Sequence, residues 1–200
     1  MRAVIIGNGT ICDYDYIKSR ICDNDYIICA DGGLKHIKKL GIKPDIAIGD
    51  FDSSAPSGEN CKIYPVRKDF TDGELAVNYA IENGYDEILL IAMTGERLDH
   101  TLTDIFLLSR KKGMRLIDDK NEIMAIKDSI ELKGYKGKTL SIIPVFGNLE
   151  GITTCGLEYP LDNETLYFAQ SRGNSNVVTD DVCKIEVKSG IGLIIINNGE

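Results

Sequence analysis

Asp50 and Asp52 stand two residues apart, directly after the run Ile46-Ala47-Ile48-Gly49. In an extended chain, side chains two apart point to the same side, roughly 6–7 Å apart at ~3.3 Å rise per residue. Both carboxylates can therefore converge on one divalent cation, or on two neighbouring ones. Two acids at the carboxyl end of an apolar strand cost stability unless a cation, a hydrogen-bond donor or water meets them. Gly49 marks a sharp exit or a close approach by another group. Taken alone, these residues also fit a solvated acidic loop, so the flanking chain must decide.

That chain repeats the arrangement. The apolar run Tyr26–Ala30 ends in Asp31-Gly32-Gly33, and Asp31 reads either as the N-cap of the following helix or as a group facing a ligand crevice. In Lys68-Asp69-Phe70-Thr71-Asp72-Gly73-Glu74, Thr71 and Glu74 have capping-box spacing for a helix over about 72–83 ended by Gly84. Asp72 falls in its first turn, where the helix dipole favours an acid. Asp69, Asp72 and Lys68 also suit a metal and phosphate site at that helix start. After the strand Glu87–Met93, Arg97-Leu98-Asp99-His100 opens an amphipathic helix carrying Leu102, Ile105, Phe106 and Leu108. His100 is open to two readings, general base or surface residue. One acid past a strand means little. Repetition at strand after strand points to an acidic, metal-binding crevice at the carboxyl ends of an α/β array.

Stepping along the elements, Ala3-Val4-Ile5-Ile6 and Tyr26–Ala30 read as buried parallel strands, with a helix of Leu34, Ile37 and Leu40 stopped by Gly41. Lys62–Val66 reads as a short peripheral strand because of its proline. Gly7-Asn8-Gly9 is only a fragment of a dinucleotide fingerprint, since Cys12 occupies the third glycine position. After Met114–Ile117 the period changes from helical to alternating, as in Ser129–Lys133 and Val182–Val187, and turn clusters punctuate the rest at Lys133-Gly134, Phe146-Gly147-Asn148, Leu161-Asp162-Asn163 and Ser189-Gly190. The expected fold is an α/β domain with a mostly parallel, Rossmann-like sheet over 1–119, followed by an all-β sandwich over 120–200.

Length and composition are compatible with this. Two hundred residues, 43% apolar and 27% charged, suffice for a well-buried core. A net charge of −8 with no basic stripe argues against nucleic acid as a partner. No apolar stretch approaches ~20 residues, no signal peptide is read at the amino terminus, and the six cysteines form no C-x-x-C, so a reduced, cytoplasmic protein without a membrane partner is expected.

With these residues in view, the chain resembles the thiamin pyrophosphokinase family over nearly its whole length. The resemblance is carried by Asp31-Gly32-Gly33, Lys43-Pro44-Asp45, Gly49-Asp50-Phe51-Asp52-Ser53, Lys68-Asp69 with Thr71-Asp72, and Arg97-Leu98-Asp99-His100. It continues through Gly156–Leu161 and Ser171-Arg172-Gly173-Asn174-Ser175-Asn176. It implies transfer of the pyrophosphoryl group of ATP to the thiamin hydroxyl, giving AMP and thiamin diphosphate. It also implies Mg²⁺, and a homodimer whose active sites lie between the α/β domain of one subunit and the β domain of the other. On that resemblance Asp50, Asp52 and Asp72 are the catalytic metal ligands. Asp31, Lys68, Asp69, Thr71, Arg97 and Asp99 bind ATP and its phosphates, and Ser175 and Asn176 bind thiamin. The chain departs from the family pattern in the turn Ala92–Arg97, where G-x-x-G-G-R is usual, and at Asp104, where asparagine is usual. Two other classes remain open: another Mg²⁺-dependent transferase or hydrolase acting on nucleotides, and a non-catalytic nucleotide or thiamin sensor.

Overall fold

The computed structural model describes residues 1–50, 60–65 and 67–198. The chain divides into two compact units, Met1–Asp119 and Lys120–Glu200.

In the first unit the strands are β1 (Arg2–Ile6), β2 (Tyr26–Ala30), β3 (Ile46–Gly49), β4 (Cys61–Ile63), β5 (Glu87–Ile91) and β6 (Met114–Ile117). The helices are α1 (Tyr14–Ser19), α2 (Leu34–Leu40), α3 (Asp72–Glu82) and α4 (Leu98–Leu107), with 3₁₀ turns at Asp31–Gly33 and Leu108–Arg110. Every strand pairing in this unit is parallel, in the order β4-β3-β2-β1-β5-β6. Parallel strands are buried on both faces, which is why they read as unbroken apolar runs rather than alternating ones. Val4, Ile6, Cys29, Ala47, Leu89 and Ile91 share one cluster with Ile17 of α1 and with Ile37 and Leu40 of α2. The alternate side chains Ile5, Ile28 and Ile48 are equally buried and point to the opposite face, where α3 packs on β1, β2 and β3. Gly41 ends α2 in the left-handed conformation, as the sequence predicts. Proline-flanked β4 lies at the sheet edge and stops at Ile63.

From β1 the chain builds outward through β2, β3 and β4, then returns to place β5 on the other side of β1. The strand order thus reverses at β1, and a crevice lies beyond the carboxyl ends of β1, β2 and β5.

Helix α4 differs from expectation. Leu98, Leu102 and Phe106 recur at four-residue spacing but are exposed, while Asp104, Leu107 and Leu108 are buried. Apolar spacing located the helix correctly; of its expected apolar residues Leu108 is buried and Ile105 half-buried, while Leu102 and Phe106 are exposed.

The second unit holds β7 (Asn121–Ile126), β8 (Ser129–Lys133), β9 (Thr139–Cys155), β10 (Glu164–Leu166), β11 (Asn176–Val177), β12 (Val182–Glu186) and β13 (Ser189–Asn197). All its ladders are antiparallel. β13 lies between β7 and the first half of β9, and β12 lies between β8 and the end of β9. One core, including Leu132, Leu140, Ile142, Ile152, Ile185 and Ile194, draws on both ladders. Phe146-Gly147-Asn148, expected as a turn, lies inside β9. Phe146 and Gly147 take φ +62° and +130°, and the register against β13 shifts there. The same residues that make turns also make bulges, where the strand bends without ending. Ser189-Gly190 likewise opens β13 rather than a loop. Among the described residues no helix is long and apolar enough to cross a membrane, and none of the six cysteines forms a disulfide.

Candidate active site

The crevice of the first unit has a volume of about 620 Å³, which suits a nucleotide-sized ligand. Its walls are the loop Gly7–Thr10 after β1, Asp31 and Gly32 after β2, the start of α3, and the segment Ala92–Arg97 after β5. The two loops are stitched together through their backbones: Gly7 N–H donates to Ile91 O (2.9 Å), Gly9 N–H to Ala92 O (2.6 Å) and Thr10 N–H to Thr94 O (2.8 Å). Ala92 bends into this arrangement with φ +55°, a conformation that costs a non-glycine residue roughly 1–2 kcal/mol.

A second set of contacts holds the first loop from beneath. Lys35 Nζ donates to Asn8 O (3.0 Å), and buried His36 lies 2.8 Å from Gly9 O and 2.7 Å from Tyr14 Oη. A carbonyl can only accept, so His36 Nε2 carries the hydrogen, and in the neutral ring Nδ1 accepts from the tyrosine hydroxyl. Burial lowers the His36 pKa against the help of its Gly9 bond, and Lys35 and Lys39 lower it further.

Asp31 lines the crevice at φ +23°, as the first residue of a 3₁₀ turn. The helix-cap alternative for Asp31 does not hold, because α2 starts after Gly33 with no side-chain cap. A Cβ on Gly49 would fall 2.7 Å from the Asp31 Cβ, so the end of β3 must be glycine for Asp31 to sit there. Asp50 follows at once. Its Oδ2 is 3.6 Å from Lys68 Nζ, which is also 2.6 Å from Asp72 Oδ1. Burial works against the Lys68 charge, but the hydrogen bond and charge of Asp72, with Asp50 behind them, outweigh it and hold the ammonium above its ordinary pKa. Thr71 caps α3, its Oγ1 accepting from Glu74 N–H (3.1 Å), and it also lines the crevice. Only half of the expected capping box forms, since the Glu74 carboxylate pairs instead with Arg110 (3.1 Å).

The remaining expected residues are distributed differently. Asp52 lies outside the described residues, and among the described residues no three acids or other ligating side chains come together as a metal cluster. Asp69 is exposed and does not line the crevice. Arg97 lines it, while Asp99 is exposed at the start of α4 and grips Arg97 at 2.6 Å, a hydrogen bond that pulls the Asp99 pKa down to about 2. Ser175 and Asn176 belong to the second unit. Ser175 takes φ +57° and donates its N–H to Ser141 Oγ (3.0 Å). Asn176 clasps the backbone of Tyr159, accepting from its N–H (3.0 Å) and donating to its carbonyl (2.8 Å). Asn8, Thr10, Lys35 and Met93 line or brace the crevice without having been expected. Much of their contribution is made by backbone or by packing, for which side-chain type and spacing give no signal.

Strand order and crevice define a class: a two-unit protein with a crevice at the switch point of a parallel α/β sheet. Comparison with known proteins narrows the class. The family described as thiamin pyrophosphokinase, catalytic domain, matches residues 17–117, and thiamin pyrophosphokinase, vitamin B1 binding domain, matches residues 126–192. The chain belongs to the thiamin pyrophosphokinase family. It is 34% identical over 154 residues to a thiamine pyrophosphokinase of Bacillus subtilis (strain 168), covering 68% of this chain and 70% of the relative. It is 26% identical over 200 residues to thiamine pyrophosphokinase 1 of Oryza sativa subsp. japonica, covering 82% and 76%. Among solved structures, a thiamine pyrophosphokinase from Bacillus subtilis superposes over 100% of both chains with a TM-score of 0.89 at 26% identity. The thiamin pyrophosphokinase from Candida albicans shares the fold, with a TM-score of 0.75 at 17% identity over 98% of this chain and 88% of that one.

Proposed function

We propose that the crevice of the α/β unit is where this chain carries out the reaction of its family: the thiamin hydroxyl attacks the β-phosphorus of ATP, the bond to the α-phosphate oxygen breaks, and thiamin diphosphate and AMP are released. The observation that carries this reading is the joint placement of Asp31, Thr71, Asp72 and Arg97 around a nucleotide-sized space at the β1/β5 switch point, in a chain of this family. Pyrophosphoryl transfer needs neutralised charge and in-line positioning more than covalent help from the protein. Lys68 and Arg97 clamp phosphate oxygens. Thr71 and the first turn of α3 face the phosphates with a hydroxyl and unpaired backbone N–H groups.

Mg²⁺ fits the donor set, since Asp50 and Asp72 offer hard oxygen ligands on either side of the point now held by Lys68 Nζ. Asp50, Asp72 and the sequence-identified Asp52 hold that ion, and when bound it neutralises charge on the transferring phosphates. Asp31 orients a polar group of a substrate. Asp99 acts through Arg97, holding its guanidinium in place. Asp69 has the weakest support among the phosphate-binding candidates. Ser175 and Asn176 recognise thiamin in the β unit, where the vitamin B1 binding profile matches. The fold is best described as a Rossmann-like parallel sheet followed by a β sandwich. The working form is a cytoplasmic homodimer without nucleic-acid or membrane partners.

The deciding experiment incubates purified protein with ATP, Mg²⁺ and thiamin and measures products. AMP and thiamin diphosphate should appear in equal amounts, each dependent on thiamin. Release of ADP or phosphate irrespective of thiamin would replace this reading with nucleotide hydrolysis.

A further inference from the structure

Asp104 on α4 is 7% exposed and lines the crevice, yet no hydrogen bond or ion pair reaches its carboxyl group from the described residues. No side-chain oxygen or nitrogen among those residues is sealed from solvent without a partner, so the carboxyl group opens into the crevice rather than into the core. Across from it stands Gly73 in the first turn of α3. A Cβ there would fall 3.3 Å from Asp104 Oδ1 and 2.7 Å from Met93 Cε, so glycine leaves the carboxyl group uncovered. A buried acid without a partner costs stability, and a ligand group that completes its hydrogen bonding offsets that cost.

The surroundings set the form this acid takes. Glu74 acts on it from α3 and is paired with Arg110, while Asp72, paired with Lys68, lines the same crevice. His100 lies one turn earlier on its own helix, with Asp99 and Arg97 paired beyond it. Asp31, Lys35 and Glu96 line the same crevice. None of the cations has its charge on Asp104. Burial first, and then the charge of Glu74, push the Asp104 pKa up to about 7. A polyanionic ligand adds further negative charge, so the neutral acid, with an O–H to donate, is the form that accompanies it.

We propose that Asp104 is a specificity-determining residue of the crevice, its neutral carboxyl group donating a hydrogen bond to a phosphate oxygen of the bound nucleotide. This rests on the crevice being the nucleotide site. Raising the pH through about 7 removes the donor and sets a carboxylate against the phosphates. Affinity then falls with the fraction of protein still protonated, by about tenfold or more between pH 6.5 and 8.5.

The test is calorimetric titration of the protein with ATP and excess Mg²⁺, without thiamin, at those two pH values. Adenosine serves as the phosphate-free probe, and wild type is compared with Asp104→Asn and Asp104→Leu. Asp104→Asn keeps a donor of nearly the same shape, so it should bind ATP tightly at both pH values. Asp104→Leu should bind weakly at both, and wild type should lose affinity for ATP but not for adenosine as the pH rises. Equal pH dependence in wild type and Asp104→Asn, or equal loss for ATP and adenosine in the wild type, would overturn the inference alone. The second comparison needs no variant to fold. Failure of the wild type to bind ATP at either pH would overturn the nucleotide reading, and the inference with it.

Discussion

Lys68 and Asp72, four residues apart across the start of α3, form a 2.6 Å ion pair at a point that Asp50 approaches from the end of β3. The lysine thus occupies the place between two carboxylates where a divalent cation fits. In the site proposed above, the lysine serves as counter-ion to the two acids until Mg²⁺ and ATP enter and then turns to a phosphate oxygen.

Asp50→Asn and Asp72→Asn preserve shape and remove charge, so each should lower kcat by on the order of 10²–10³, the scale for losing one electrostatic element of a transition state. Folding should survive in both, because neighbouring carboxylates oppose one another when no metal cation is bound. Steady-state rates at saturating Mg²⁺ check this, and near-normal turnover in both variants would end the metal assignment. Asp52→Asn is expected to behave in the same way on its sequence position alone.

Thr71 caps α3 and lines the crevice, and substitutions separate the two roles. Thr71→Ser keeps the cap and the hydroxyl and should be nearly silent. Thr71→Ala should cost about 1 kcal/mol of stability through the lost cap. A fall in kcat well beyond that, measured below the melting transition, assigns the hydroxyl to the substrate. Loss of rate that is fully recovered on cooling would leave Thr71 as a cap only.

Much of this was legible in the sequence, for physical reasons that particular residues make plain. Buried parallel strands must be apolar throughout and must turn at once, so Val4–Ile6, Ile27–Ala30 and Ile46–Gly49 announced themselves together with the acids after them. Asp31 was ambiguous because an acid past a strand can cap a helix or face a ligand, and only the φ angle and the glycine opposite separate the two. The apolar set of α4 was only half informative: Leu108 and Ile105 are buried or half-buried, but the acid Asp104 is buried as well while Leu102 and Phe106 are exposed. The bulge at Phe146-Gly147 was misread because φ > 0 signals a change of direction without saying whether pairing resumes. Lys35 and Asn8 carried no signal, since their contact runs through a backbone carbonyl.

His36 gives a pH dependence whose sign follows from its environment. Its folded pKa is lowered from the ordinary 6.5, chiefly by burial, so the neutral ring stabilises the fold fully above about pH 6.5. That contribution is lost as the pH falls from 6.5 through the lower folded value, when a buried cation forms and Nδ1 can no longer accept from Tyr14. Glutamine at this position has a donor and an acceptor but does not titrate. Thermal melts of wild type and His36→Gln should therefore diverge between pH 7.5 and 5, the wild type losing more. Parallel pH profiles would assign the loss to other groups.

If the active sites are shared between the subunits of a homodimer, two inactive variants should complement each other. Asp50→Asn and Asn176→Ala should each be nearly inactive alone. After mixing, unfolding and refolding together, half of the dimers are hybrids with one intact site in two, so about a quarter of wild-type activity should return for a two-fold assembly. Because Asn176 clasps Tyr159, the variant's melting temperature is checked first. Hybrid dimers that form and stay inactive would place each site within one chain.

The position of β13 between β7 and β9 has a consequence for the order in which the chain becomes folded. The α/β unit is complete once its strand β6 is made, at Ile117, whereas β7 and the first half of β9 share a partner that does not exist until residues 189–197 have been synthesised. At ribosomal rates of roughly 5–20 residues per second, the crevice of the first unit can form some seconds before the β unit can close. During that interval β9 carries unpaired edges, so truncations that remove β13 should leave a folded first unit attached to an aggregation-prone second one.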